Sequence, residues 1–496
     1  MKKGIYILGM LLILIGACKS DEFLDTTPYG VAVDTPGAFF RNQDDALLAI
    51  NATYRNLRQR YAAFAGDYGY GNIGTDDAWK GGGNPADNES LAQKENYTIT
   101  PTIGEITDRW GQSYQGILNA NKVLENVPGI DMDEALKTRI IGEAYFLRAV
   151  YYMDLAKWFG GVPIYPKNLA TPAEYLDVPR STEEETWAFV EENLLEALSR
   201  LPKKSEYEAA DIGRATQGAA LGFLVRANAL QNDLPQVKQY SEQLFDLGEY
   251  SLAPTYKEIW QSTGENGPGS IFEVQFTEAG QGWGSITLGS ASGTAFGPRQ
   301  GNDNYAGWGF VQARQELLDE FETDDPRLDH SLFFVPNQEY GPLDADNNAY
   351  FGKKVAYAPF TDYPIPAVPT DGSNNWRVLR LADIYLMYAE SIYQSDPNTA
   401  MEYVNRIRQR AREGNNALLP DITGLSGQVL LDAIYHERRV ELNLEGLRFH
   451  DLIRTNRKSI LEQYGFQVGK NEKMPIPQAE IDNYGGRLPQ NEGYSN

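Results

Sequence analysis

Apolar positions recur at helical spacing along most of the chain. Between Gln43 and Arg60, the residues Ala46, Ile50, Tyr54 and Leu57 share one face, which predicts an amphipathic helix. Trp110, Tyr114, Ile117, Leu118, Asn121 and Leu124 repeat the same spacing, and Pro128-Gly129 marks the stop. The stretch GEAYFLRAVYYMDLAKWFGGVP (142–163) carries two stripes, Ala144-Leu147-Tyr151-Leu155-Trp158 and Tyr145-Ala149-Tyr152-Ala156-Phe159. A helix apolar on two stripes is buried on most sides, and Gly160-Gly161 with Pro163 ends it. Ser181-Thr182-Glu183-Glu184-Glu185 reads as an N-cap with an acidic first turn, opening a helix that runs to Leu201-Pro202. After Arg214, the face Ala215, Gly218, Gly222, Val225 and Ala229 is small enough for a second helix to approach closely, and Pro235 to Leu247 supplies that helix. Further helices are predicted at 312–322, 378–394, 397–411, 427–442 and 447–463.

Consecutive helix pairs predict an all-α, mainly helical chain built as a TPR-like array, with no 34-residue consensus visible. Three long stretches rich in Gly, Asn, Asp and aromatics interrupt it, at 61–104, 261–310 and 335–377. Within the second, Ile271 to Phe276 alternates and predicts a short strand. Loops of this length in a compact chain are uncommon and often functional. No linker divides the chain.

Composition narrows the chemistry. The 496 residues are 42% hydrophobic, enough for a large core, and carry a formal charge of −24, which repels phosphate backbones and argues against a nucleic-acid partner. Three histidines (His330, His436, His450) leave little room for a metal site or a triad. The single cysteine, Cys18, excludes an intrachain disulfide. It follows Lys2-Lys3 and an apolar run from Ile5 to Gly16 that is too short to span a bilayer comfortably. Ile15-Gly16-Ala17-Cys18 resembles a bacterial lipobox. It predicts a signal peptide at 1–17 and lipid attachment at Cys18, and two or three acyl chains would anchor the mature protein stably.

Several long motifs then occur in order. They are Glu22-Phe23-Leu24-Asp25, Trp110 to Leu124, the 142–163 stretch, Gly213-Arg214-Ala215-Thr216, Ile271-Phe272-Glu273 and Asp325-Pro326-Arg327-Leu328. RVLRLADIYLMYAES (377–391), YHERRVELNLEGLRFHDLIR (435–454), MPIPQAEIDNY (474–484) and LPQNEGY (488–494) complete the set. Together they resemble the SusD/RagB family of Bacteroidetes outer-membrane lipoproteins. The resemblance implies one SusD-like binding domain over 18–496, with a tether at 18–45, an N-terminal part at 46–310 and a C-terminal part at 311–496. It also implies four TPR-like helix pairs, long irregular loops with a little β-structure, and a position on the cell surface. The implied partner is a SusC-like TonB-dependent transporter, and the implied cargo is an oligosaccharide, with no cofactor and no catalysis. A RagB-like oligopeptide receptor is the alternative among binding proteins, and a surface glycoside hydrolase is the alternative among enzymes.

The charged motif residues Glu437, Glu441, Arg438 and Arg448 lie at helical spacings and predict a buried ion-pair network, as do Asp383 and Glu390. Gly69 to Gly74 matches GxGxxG, but no strand precedes it and no helix follows, so a dinucleotide site is rejected. Asp344, Asp346 and Asn348 alternate like the start of a calcium loop, yet Ala349 and Val355 occupy the sixth and twelfth positions, which excludes an EF-hand. Sugar binding asks for a flat aromatic face under the C–H side of a pyranose and polar groups for its hydroxyls. Loop aromatics beside Asp, Asn and Gly suit this. They single out Asp76, Asp77 and Trp79 in the first loop, Trp283, Tyr305 and Trp308 in the second, and Trp376 in the third. The resemblance raises the first two loops, which contribute to the ligand face in that family.

Overall fold

The structure is a computed structural model that describes residues 39–61, 66–280, 288–299, 307–336, 341 and 349–495. Cys18 and the signal segment, Trp283, Tyr305, and the Asp344-Asp346-Asn348 stretch lie outside the described residues. The longer helices are α1 (Gln43–Tyr61), α2 (Gly104–Asn126), α3 (Glu134–Phe159), α4 (Glu183–Leu198), α5 (Gln217–Leu230), α6 (Leu234–Asp246), α7 (Leu381–Ile392), α8 (Pro397–Ala411) and α9 (Gly427–Glu441). The strands are β1 (Ala78–Gly81), β2 (Ser270–Val274), β3 (Phe310–Ala313), β4 (Leu332–Val335), β5 (Ala349–Gly352) and β6 (Trp376–Arg380). The chain is mainly helical.

The helices start and stop for identifiable reasons. The Thr182 hydroxyl accepts from the Glu185 amide while Glu185 reaches back to the Thr182 amide, the capping box expected there. Asp133, Thr216, Asp233 and Asp396 cap α3, α5, α6 and α8, each side chain accepting from a backbone amide of the first turn. Helix α3 buries both of its stripes, and Gly160 at φ 77° turns the chain out of it. It packs between α2 and α4, while α1 lies on α2, α5 pairs with α6, and α7 pairs with α8 and α9. The expected pairing of α5 with α6 forms, but at Gly222 the closest approach to the small face of α5 is made by the β2–β6 ribbon. A Cβ on Gly222 would lie 2.7 Å from Leu379 Cδ2 of β6 and 3.0 Å from Ile271 Cγ2 of β2. The main apolar core draws on residues from Ala46 to Leu488, while α8 and much of α9 pack with α7 in a second cluster.

The expected loops hold more β-structure than their composition suggests. One strand from the first, the end of the second and two around the third form a four-stranded antiparallel sheet in the order β1-β3-β5-β4, while β2 and β6 make a separate ribbon. The helix expected at 312–322 is β3 followed by a single turn, Gln315–Leu318. Its first residues pair with both β1 and β5, and this non-local pairing overrides the helical spacing. For the same reason 376–380 is strand, and α7 begins only at Leu381. The helix expected over 447–463 breaks into Arg448–Arg454 and a 3₁₀ segment, Lys458–Tyr464, with Asn456 in the left-handed region between them.

Buried charge ties these layers together. The Glu441 carboxylate accepts from Arg380 at 3.0 Å and Arg410 at 2.6 Å, and Arg327 lies 3.5 Å away. Glu437 pairs with Arg327 and Arg408, and Arg327 also holds Asp325 at 2.8 Å. Arg438 bridges Asp383 and Asp451, and Arg454 joins Asp451 to Glu390. The two ends of the chain also meet backbone to backbone. A Cβ on Gly71 would lie 1.9 Å from the carbonyl oxygen of Gly446, so only glycine permits this crossing.

Burial pushes the Glu441 carboxyl up, but Arg410, Arg380 and Arg327 outweigh it and hold its pKa at about 2. Glu441→Gln is expected to lower stability near neutral pH by about 3–5 kcal/mol, because three guanidinium groups lose a shared anion. A depressed carboxylate contributes fully above its unfolded pKa and loses that contribution as pH falls through the folded one. The gap between wild type and variant in urea denaturation should therefore narrow as pH drops from the ordinary carboxylate range toward about 2. A gap independent of pH would show that Glu441 does not act as an anion.

Candidate functional site

The first loop reaches the sheet through Asp76 and Asp77. Both carboxylates are buried and paired. Asp76 receives Arg448 at 2.6 and 2.8 Å, and Asp77 receives Arg439 at 2.8 Å. Burial raises the Asp76 carboxyl, and Arg448 and Arg439 bring it below its usual range. Burial raises Asp77 and its arginine partners only partly offset this. Arg439 also donates to the Asp76 carbonyl at 3.0 Å. The expectation that these two carboxylates face a ligand is corrected: they are the anchors of the loop, clamped to α9 and the helix after it. The stretch Gly69 to Gly74 just before them is mostly a short helix, Asp67–Asn72, which leads toward β1 rather than following a strand.

That anchor sets the position of Trp79 in β1. Trp79 stands opposite Gln312 in β3, and Gly81 opposite Phe310. The next backbone amide, that of Gly82, donates to Gly309 at 2.7 Å, which brings the stretch carrying Trp308 alongside β1. Trp79 and Trp308 are both half-buried and lie on neighbouring strands or strand extensions of one ribbon. The Arg314 guanidinium lies 4.9 Å from the Trp79 ring centroid and 4.3 Å from that of Tyr464. Arg314 is itself held by a hydrogen bond from its amide to the Asp77 carbonyl, 2.9 Å. The Tyr464 hydroxyl donates to Glu316 at 3.1 Å. The result is a cation between two half-buried rings, with carboxylates of Glu316 and Glu95 beside it; Glu95 lies 3.9 Å from Arg314. Around Trp308, its carbonyl accepts from Arg299 at 3.3 Å, and Arg299 pairs with Asp87 at 2.9 Å. Asp87 also accepts from the Gly83 amide at 2.7 Å.

Trp376 is a second correction. Only 9% of it is exposed, and it packs against Tyr61 and Tyr68, with ring centroids 5.9 and 5.5 Å away. Its position opposite Val274 in the β2–β6 ribbon turns the indole into the core. Arg314, Tyr464, Arg299 and Asp87 were not picked out from the sequence. Tyr464-Gly465 does repeat the aromatic-beside-glycine pattern that marked Trp283 and Trp308, but it lies just past the stretch read as helix, 447–463, and outside the three long loops. A separate aromatic pair, Phe334 of β4 opposite Tyr350 of β5, sits outward, with Phe334 60% exposed. Among the described residues, no cluster of three or more His, Cys, Asp or Glu is placed to hold a metal ion.

Comparison with known proteins agrees across both halves of the chain. Residues 53–228 match a family model described as "Starch-binding associating with outer membrane", and residues 268–494 match the model of the SusD family. A SusD-like protein of Bacteroides ovatus is 26% identical, over 91% of this chain and 82% of its own. The solved structure of a laminarin-binding SusD-like protein is 30% identical and superposes with a TM-score of 0.82, covering 92% of this chain and all of that one. Surface glycan-binding protein A from Bacteroides thetaiotaomicron, solved in complex with laminarihexaose, is 25% identical with a TM-score of 0.76, covering 91% of this chain and 99% of that one. The chain belongs to the SusD family.

The two kinds of tryptophan should separate in stability. Trp376→Ala is expected to cost about 3–5 kcal/mol in equilibrium denaturation. Trp79→Ala and Trp308→Ala, each emptying a half-buried position, should cost less than half as much. Equal losses at all three positions would place Trp79 and Trp308 in the core as well.

Proposed function

We propose that this protein is a non-enzymatic surface lipoprotein that captures an oligosaccharide and passes it to a SusC-like TonB-dependent transporter. Laminarin and its oligosaccharides are the first ligands to consider, because the two laminarin-related structures resemble this chain over nearly its whole length. The observation that carries the reading is the Trp79–Arg314–Tyr464 group, with Trp308 on the adjoining stretch. Half-buried rings offer an apolar face to a pyranose, and the arginine and carboxylates beside them match its hydroxyls. Trp283 and Tyr305, outside the described residues, are proposed as ligand contacts on sequence grounds alone. A neutral glycan also suits a chain with a charge of −24, which would disfavour an anionic polymer.

Binding is proposed to need no chemistry beyond stacking and hydrogen bonds, so the ligand leaves unchanged. Lipid at Cys18 would hold the receptor beside its transporter, and closure against that partner would add to the modest affinity of one open site. The family description, with its association with the outer membrane, supports that location.

Affinity electrophoresis and calorimetry with laminarin test the site. Trp79→Ala and Trp308→Ala are each expected to weaken binding about tenfold, roughly 1.4 kcal/mol, while circular dichroism stays that of wild type. Retention unaffected by both substitutions would refute the site. Binding of oligopeptides but of no saccharide would favour the peptide-receptor alternative, and new reducing ends would establish a hydrolase. Metabolic labelling with palmitate should mark the wild type and not Cys18→Ala, which should leave the membrane fraction. Labelling that persists in the variant would overturn the anchor.

A further inference from the structure

A cavity lies between the β2–β6 ribbon and the helices α7 and α8. Its volume is about 140 Å³. The floor is formed by Arg377, Arg380, Arg410 and Glu273, all of them buried, and the rim by the partly exposed stretch from Leu252 to Gly269. None of these residues belongs to the group around Trp79 and Trp308.

The polar groups of this floor are unevenly matched. Arg380 is fully engaged by Glu441 and Glu445. Glu273 accepts from the Asn266 amide at 2.9 Å and from Asn375 at 3.0 Å, one hydrogen bond to each oxygen. Arg410 spends only one nitrogen, Nη2, on Glu441 at 2.6 Å. Among the described residues, nothing accepts a hydrogen bond from its Nε or Nη1, nor from Arg377 Nε. The nearest carboxylate oxygen to Arg377 Nε, Glu273 Oε1, is 3.8 Å away, too long for a hydrogen bond. The Tyr256 ring lies 5.2 Å from the Arg410 guanidinium carbon, a contact with the charge as a whole rather than an acceptor for a given N–H. The unmet groups on the cavity floor are therefore all donors, and all are cationic.

Buried guanidinium N–H groups without acceptors are costly, and charged donors form their strongest bonds with oxyanions. A water could satisfy one such group and give its own hydrogens to the Glu273 or Glu258 carboxylates of the lining, whereas one oxyanion can accept from several of these donors at once. We propose that the cavity is a binding site for a small oxyanion, a carboxylate or a sulfate group, held by Arg410 and Arg377. The group could arrive as a free ion or as the acidic substituent of a monosaccharide. The site is independent of the glycan face, and neither reading needs the other.

Titration of the purified full-length mature protein, with sodium chloride balancing ionic strength, tests the proposal by thermal shift and calorimetry. The probes are sulfate, acetate and glucuronate. At least one should bind saturably in wild type, and tighter binding of glucuronate than of acetate would identify the acidic sugar as the source. Arg410→Lys keeps a cation for Glu441 and removes the two unpartnered nitrogens, so its midpoint concentration should rise at least fivefold with laminarin retention unchanged. Crystals of wild type soaked in selenate should show an anomalous peak within hydrogen-bond distance of Arg410 and Arg377. No saturable response to any of the three probes, an unchanged midpoint in Arg410→Lys, or water alone in the soaked cavity would each overturn it.

Discussion

A buried charge must find its counterpart inside the protein, and in this fold one short helical stretch distributes that obligation. Glu437, Arg438, Arg439 and Glu441 of α9 between them reach several other elements. Glu437 takes Arg327 and Arg408, Arg438 takes Asp383 and Asp451, Arg439 takes Asp77 and Glu320, and Glu441 takes Arg380, Arg410 and Arg327. Apolar packing is tolerant of small slides, whereas hydrogen-bonded pairs between guanidinium and carboxylate are directional. The helix thus sets the register of strands and helices that lie far apart in the chain. Trp79 depends on it at one remove, because β1 begins where Asp76 and Asp77 are clamped.

This dependence explains what could and could not be read from residues alone. The helices were legible because their periodicity and caps are local: the stripes of α3, the Thr182–Glu185 box and the small face of α5 all occur where the spacing puts them. The ion pairs of Glu437, Arg438 and Glu441 were legible as a network, although not by partner. The four-stranded sheet was not, since each strand has only four residues and its partners lie in other loops. Asp76 and Asp77 were misread for a related reason. An acidic pair beside a tryptophan in a loop looks the same whether it faces a sugar or an arginine more than 360 residues away. Trp376 was misread because strand alternation, invisible in a stretch of such composition, decides which way an indole turns.

Membership of the SusD family accounts for the architecture, and the proposed glycan face accounts for its loops. The helical array presents a rigid back. The sheet, hung from α9, gathers stretches from three separate loops into one surface, so that ring positions from distant parts of the chain become neighbours. Such an arrangement permits the aromatic positions to vary while the clamp beneath them stays the same.

The crossing of Gly71 and Gly446 has a consequence for how such a molecule evolves. Stacked helix pairs ordinarily lengthen or shorten by gaining or losing a unit at an open terminus. Here residues from the first and last quarters of the chain also meet backbone to backbone, so a unit gained or lost between them must leave this crossing intact. Insertions within the loops add new sequence without parting that contact.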